Sequence, residues 1–174
     1  MPRLVVLTGP IAAGKTVAAE ALMRRAACRG LTVVLLDVDD VAAMVGPPGA
    51  AAAGLWFAVH EAHGALVGQW VRADVDLVVA VGPIYTVEER AALVAHLPDA
   101  VTPVYVVIDA PVSLTLARAL ADPSRELSRN PEFHLAAHAR FRALLPSIPR
   151  DLLLDTSTAN VENIARAVET TLGL

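Results

Sequence analysis

At 174 residues with 55% hydrophobic content, the chain supports one well-buried domain and is too short for two comfortable ones. A net charge of −4, with basic residues scattered rather than run together, argues against a nucleic-acid surface. The single cysteine, Cys28, excludes an internal disulfide and suits a reducing cytoplasm, and no charged segment leading into an apolar stretch opens the chain as an export signal.

Leu4–Thr8 is a short apolar run suited to a strand buried on both faces. It leads into Gly9-Pro10-Ile11-Ala12-Ala13-Gly14-Lys15-Thr16, which fits the phosphate-loop pattern G-x-x-x-x-G-K-[ST]. Gly9 and Gly14 allow backbone angles closed to other residues, so successive N–H groups can curl around an anion. Lys15, the only lysine of the chain, is placed to reach the β- and γ-phosphates, and the Thr16 hydroxyl to ligate Mg²⁺. Gly9, Ala12, Ala13, Gly14, Lys15, Thr16 and Val17 are therefore expected to bind a nucleotide. The Ala-rich stretch Lys15–Arg29, with Gly30 just past its end, predicts a helix whose positive end faces the same phosphates. Strand, loop and helix thus follow in the order that the motif requires.

Thr32–Asp37 predicts a second strand, ending in Asp37-Val38-Asp39-Asp40. Strand alternation would send Asp37 and Asp39 to one side and leave Asp40 to begin or cap the next segment. A carboxylate beside an Mg²⁺–phosphate centre can hold the metal or accept the proton of an attacking hydroxyl. The other reading of these acids is a solvated turn that ends the strand. Val41–Val59 is uncharged and nominally long enough to span a membrane, but Gly46-Pro47-Pro48-Gly49 breaks it, so the protein reads as soluble and Val45–Ala53 as a mobile loop. The helix expected at Gly54–Ala73 carries Trp56, Phe57 and Trp70, which are core residues by default, although Trp56 and His60 are also placed to meet a second substrate. Positions 40–73 as a whole read as a substrate-binding loop and helix.

Leu77–Val81 predicts a third strand with no acid at its end, unlike motor-type ATPases, which use one there for magnesium and water. Tyr85 and Thr86, after Gly82-Pro83, either line a substrate or simply follow a turn. Helices are expected at Val87–Leu97, Val112–Ala121, Phe133–Leu144 and Val161–Leu172, with strands at Val104–Asp109 and Leu152–Asp155. The pairs His60/His63 and His134/His138 have metal-compatible spacing without further ligands, which favours packing or surface roles. Segment 122–132, rich in Arg, Ser, Asp and Pro, is either a lid or a solvated basic loop. As a lid it would bring Arg125, and less directly Arg129, to a transferring phosphoryl group, whose spread charge a guanidinium stabilises. Arg118, on the preceding helix, is placed to stack on a base, and Thr156 to border it or cap the last helix. The alternation of strands and helices predicts one three-layer α/β domain over residues 1–174, a phosphate-loop fold with a five-stranded parallel sheet and helices on both faces.

The phosphate loop, the Asp37-Val38-Asp39 strand end and the Arg125-bearing segment together resemble the small P-loop kinases that phosphorylate metabolites. The Asp-x-Asp is similar to that of shikimate kinase, where the first acid supports magnesium and the second engages the acceptor hydroxyl. Val38-Asp39 and the long helix before the third strand are similar to features of chloramphenicol phosphotransferase. The chain departs from both after the third strand, where the first shows Gly-Gly-Gly and the second acids. The resemblance implies a cytoplasmic kinase that moves a γ-phosphoryl group from ATP or GTP, with Mg²⁺, to a hydroxyl of a small molecule. The acceptor it suggests is an antibiotic or secondary metabolite, and the protein is expected to be a monomer or homodimer with no nucleic-acid or membrane partner. In this picture Lys15, Asp39 and Arg125 are catalytic, and Thr16 and Asp37 hold the metal. Asp39, Trp56, His60, Tyr85 and Arg129 meet the acceptor. The alternatives are a nucleoside, nucleotide or primary-metabolite kinase, and a nucleotide-binding regulator without transfer activity.

Overall fold

Five apolar runs form five parallel strands in the computed structural model, which describes residues 2–125 and 127–174. Met1 and Glu126, the latter within the expected lid, lie outside the described residues. The strands are β1 (Arg3–Thr8), β2 (Val33–Asp37), β3 (Leu77–Val81), β4 (Val104–Asp109) and β5 (Leu152–Asp155), in the order β2-β3-β1-β4-β5. Val5 of the central β1 pairs with Val79 on one side and Val104 on the other. A strand flanked on both edges and covered on both faces has no polar side to present, so β1 and β3 read as unbroken apolar runs.

The helices are α1 (Lys15–Cys28), α2 (Val38–Ala42), α3 (Trp56–Val71), α4 (Val87–Val94), α5 (Val112–Ala121), α6 (Pro131–Leu144) and α7 (Val161–Leu172). Pleating divides the core. Val5 and Leu7 pack with Ala18, Ala19 and Leu22 of α1 and Ile164 and Val168 of α7. Leu4 and Val6 face Val67 and Val71 of α3 and Leu93 of α4. Below α6, Phe141 packs with Val107 and Tyr85. Three layers result. The loop leaving β1 enters a helix on one face, and those leaving β2 and β3 lead to the other, so a crevice opens at the carboxyl ends of the strands.

Several expectations need correction. The chain does not stay extended past Asp37, because the five-residue α2 starts at Val38, with the Asp37 carboxylate rather than Asp40 capping it by accepting the Asp39 N–H at 3.0 Å. Helix α3 is shorter than Gly54–Ala73, and α4 stops at Val94 rather than Leu97. Helix α6 starts earlier, at Pro131, where Asn130 caps it by accepting the Phe133 N–H at 3.1 Å. Phe57 and Trp70 are exposed rather than core, since the buried face of α3 carries Val59 against α2 and His63, Val67 and Val71 against the sheet. Among the described residues, no helix is long and apolar enough to cross a membrane.

Candidate active site

The turn between β1 and α1 is held by its glycine. A Cβ on Gly9, at φ 147°, would lie 1.9 Å from the Ile108 carbonyl oxygen, so only glycine lets the loop cross the end of β4. Ala12 sits in the left-handed region at φ 55°, a conformation costly enough that the surrounding structure must impose it. Helix α1 opens on Gly14, also at positive φ, without a side-chain cap. Its first amides are thus left for an anion.

Lys15 Nζ donates to the carbonyls of Gly9 at 3.0 Å and Pro10 at 2.9 Å, so the ammonium lies folded onto its own loop. Burial pulls its pKa down to about 8, against the pull of Asp39 and Asp37 and with a further push from Arg125. Thr16 Oγ1 donates to Asp37 Oδ2 at 3.1 Å, bringing a hydroxyl and a carboxylate together beside the loop. Burial is the main force pushing the Asp37 pKa up, and the bonds from the Asp39 N–H and the Thr16 hydroxyl oppose it. These are the hard oxygen donors that Mg²⁺ takes from a protein, with phosphates and water completing its shell. The residues fit that ion.

What brings Asp39 alongside is the close docking of α2 on the end of β3. A Cβ on Gly82 would fall 2.5 Å from Val38 Cγ2, so the bare backbone there is the seat for Val38, flanked in sequence by both acids. Lys15, Thr16, Asp37, Asp39 and Arg125 all line one cavity of about 580 Å³. Its remaining wall comprises Ile11, Ala12, Gly14, Val17, Ala51, Trp56, Pro83, Tyr85, Leu127, Ser128, Phe133, Ala137 and Arg140. Arg125 is held by Asp122, Nε to Oδ2 at 3.0 Å. A second cavity of about 450 Å³ shares Ala12, Gly14, Val17 and Arg125 with the first and adds Ala13, Arg118, Thr156, Asn160 and Ile164. There the Arg118 guanidinium donates to Thr156 Oγ1 at 2.8 Å and to the Ala13 carbonyl at 3.2 Å, bracing the phosphate loop against the turn after β5. Thr156 Oγ1 also donates to Ala13 O at 2.9 Å.

Of the residues singled out in the sequence for nucleotide or acceptor, four stand elsewhere, among them Thr86, which caps α4 by accepting the Glu89 N–H at 3.1 Å. Gly9 lines neither cavity and acts from beneath, through its fit against β4. His60 is 2% exposed and faces inward, with Nε2 3.9 Å from Glu89 Oε1 and its ring edge-on to Trp56, so it supports the wall without forming it. Arg129 closes a short 3₁₀ turn, Leu127–Arg129, and is exposed outside both cavities. Tyr85 lines the first cavity, but its hydroxyl is committed, donating to the Gly9 carbonyl at 2.7 Å. The other three histidines of the spaced pairs pack: His63 Nε2 donates to the Leu36 carbonyl, and His138 Nε2 to the Ala110 carbonyl, each at 3.1 Å. His134 Nδ1 donates to the Ser128 carbonyl at 3.0 Å, while Nε2 meets Thr115 Oγ1 at 2.9 Å, which ties the expected lid to α5.

Sequence reasoning missed Phe133, Ala137 and Arg140, which fall at i, i+4 and i+7 and so share one face of α6. It also missed Glu89, although Thr86-Val87-Glu88-Glu89 carries the capping-box spacing that the structure uses.

The state of Lys15 predicts how pH governs a triphosphate ligand. A bound polyanion restores the ammonium, so the bound pKa exceeds the free value of about 8. Affinity is then constant below that pH and falls as pH rises through and beyond it. Calorimetry at pH 8.5 in two buffers of different ionisation enthalpy is expected to show uptake of most of one proton, and at pH 6.5 none. Binding without proton uptake at either pH would contradict this reading of Lys15.

Comparisons with known proteins bear on the family and the fold. The model of the AAA domain family matches residues 4–148. No protein of curated function matches the sequence. Among solved structures, the chain is similar to a sugar kinase from Janibacter sp. HTCC2649 (TM-score 0.71, 17% identity, covering 99% of this chain and 95% of that one). It is also similar to the APS kinase of Mycobacterium tuberculosis in complex with AMPPNP and APS (0.69, 20%, 100% of both). A third is the shikimate kinase of Acinetobacter baumannii in complex with shikimate (0.61, 22%, 99% and 94%). At these identities the likeness establishes a shared three-layer α/β fold.

Proposed function

Since this chain belongs to the AAA domain family, we propose that it uses its phosphate loop as a kinase, moving the γ-phosphoryl group of ATP or GTP to a hydroxyl of a small molecule. The observation that carries this reading is the convergence of Lys15, Thr16, Asp37, Asp39 and Arg125 on a single cavity that extends well past the loop. A regulator that only binds nucleotide has no need of that further space, nor of a free carboxylate within it.

The roles follow from the chemistry of each group. Lys15 exchanges the Gly9 and Pro10 carbonyls for the β- and γ-phosphates, and the amides opening α1 complete the grip. Thr16 and Asp37 would hold Mg²⁺, which supplies charge neutralisation between the phosphates. Asp39 accepts the acceptor's hydroxyl proton as the new oxygen–phosphorus bond forms and the bond from the γ-phosphorus to the bridging oxygen breaks, leaving the nucleoside diphosphate. Arg125 leaves Asp122 to meet the charge on the transferring group. The cavity braced by Arg118 and Thr156 takes the base and ribose.

For the acceptor we favour an antibiotic or other secondary metabolite. The likeness of Val38-Asp39 and α3 to chloramphenicol phosphotransferase supports this, as does the Ala- and Arg-rich composition expected of a GC-rich bacterial genome. The sugar, APS and shikimate kinases differ among themselves in what they phosphorylate, so none lends its acceptor to this chain. We place the protein in the cytoplasm, as a monomer or homodimer. The test is mass spectrometry of an acceptor library incubated with protein, Mg²⁺ and each nucleotide. A product heavier by one phosphate identifies the acceptor class, whereas nucleotide binding without any phosphorylated product would overturn the kinase reading in favour of a regulator.

A further inference from the structure

Resting on the kinase reading, we propose that the acceptor cavity selects an uncharged, largely apolar alcohol, and that the buried Glu89 sets this preference by cancelling the charge of Arg140.

Three cations line the cavity, and each already faces an acid. Lys15 feels Asp37 and Asp39 and serves the phosphates, and Arg125 sits on Asp122. Only Arg140, on the α6 face with Phe133 and Ala137, stands apart from the phosphoryl machinery. Its Nη2 is 3.4 Å from Glu89 Oε1, and its Cζ lies 6.0 Å from the centre of the Tyr85 ring. The Glu89 carboxylate cannot swing away, because Oε2 accepts the N–H groups of Tyr85 at 2.7 Å and Thr86 at 2.9 Å. With Glu89 only 5% exposed, drawing Arg140 off to an anionic substrate would leave a buried charge unpaired. His60 offers no replacement, since burial pushes its pKa down and leaves the ring neutral beside Glu89.

Away from the phosphoryl machinery, the described wall is mostly carbon. Among the described residues, Ala51, Pro83, Leu127, Phe133 and Ala137 offer no side-chain partner for the hydroxyls of a sugar, which leaves the indole N–H of Trp56 and the Ser128 hydroxyl as the neutral partners on this part of the wall. The Tyr85 hydroxyl is already given to Gly9. A polyhydroxylated or anionic acceptor would lose more hydration here than these few groups repay, while an apolar ring bearing one reactive alcohol loses little.

Glutamine at position 89 keeps an oxygen for the cap but removes the charge. The experiment uses saturating MgATP and sets of aryl alcohols that are neutral, para-carboxylated or para-aminomethylated, with glucose and AMP as further acceptors. In the wild type the neutral alcohols are expected to exceed their charged counterparts by about tenfold or more in kcat/KM. Glu89→Gln unmasks Arg140 and narrows or reverses the gap for the carboxylated set alone. Arg140→Met unmasks Glu89 and favours the aminomethylated set alone, so the proposal can be tested even if the first variant does not fold. A wild type that prefers carboxylated, phosphorylated or sugar acceptors overturns the proposal while leaving the kinase reading intact, as would variants that alter all sets equally. MgATP binding with no phosphorylation of any set removes the kinase reading itself.

Discussion

Asp39→Asn is expected to reduce turnover by about a hundred- to ten-thousandfold while nucleotide affinity stays close to that of the wild type. The side chain lies in the first turn of α2 and is exposed within the acceptor cavity, and among the described residues its loss as a base leaves no other free carboxylate beside Thr16, because Asp37 is occupied by the Thr16 hydroxyl and the Asp39 amide. Asparagine preserves the shape, and α2 keeps its cap because the cap uses the Asp37 carboxylate and only the main chain of residue 39. Steady-state rates with the acceptor found by mass spectrometry, set beside calorimetric nucleotide affinities, check both halves. Undiminished turnover would move the proton acceptor elsewhere.

Arg125→Ala is expected to lower kcat by about a thousandfold, again with little change in nucleotide affinity. The guanidinium rests on Asp122 at 3.0 Å and lies on the boundary shared by the two cavities, so it reaches the donor and acceptor sides alike. An exposed pair of this kind holds weakly, and exchanging Asp122 for a phosphoryl group that is accumulating charge favours the transition state over the ground state. A second readout is independent of rate. Arg125 helps depress the Lys15 pKa, so removing it raises that pKa and moves the alkaline fall in nucleotide affinity to higher pH. Loss of nucleotide affinity at neutral pH with kcat intact would assign Arg125 to binding instead.

Much of this arrangement is legible in the sequence because its physical causes are local. The phosphate loop needs its glycines and lysine at fixed spacing, and the strands buried on both faces leave no polar alternation to confuse. Asp37 and Asp39 were legible as residues at the ligand edge, but α2 was not, since five residues are too few to show a helical period. The fate of His60 depended on which side of α3 meets α4, a tertiary matter that the Ala- and Val-rich helix does not announce. The sequence ranks Arg125 ahead of Arg129 but places both on the lid, and the turn at Leu127–Arg129 leaves the first on the cavity wall and the second in solvent. Arg140 was unreadable for a related reason. Its partner Glu89 lies 51 positions earlier, and the two meet only once α4 and α6 have packed on the same face of the sheet.

Every role assigned to the site presupposes a triphosphate held by the β1–α1 loop through Lys15. Titrating MgATP into the wild type and Lys15→Ala by calorimetry at pH 7 tests this most directly. Charge-assisted hydrogen bonds from the ammonium predict that the variant loses about ten- to a hundredfold in affinity, with its fold intact by circular dichroism. Equal affinity in a folded variant would contradict it.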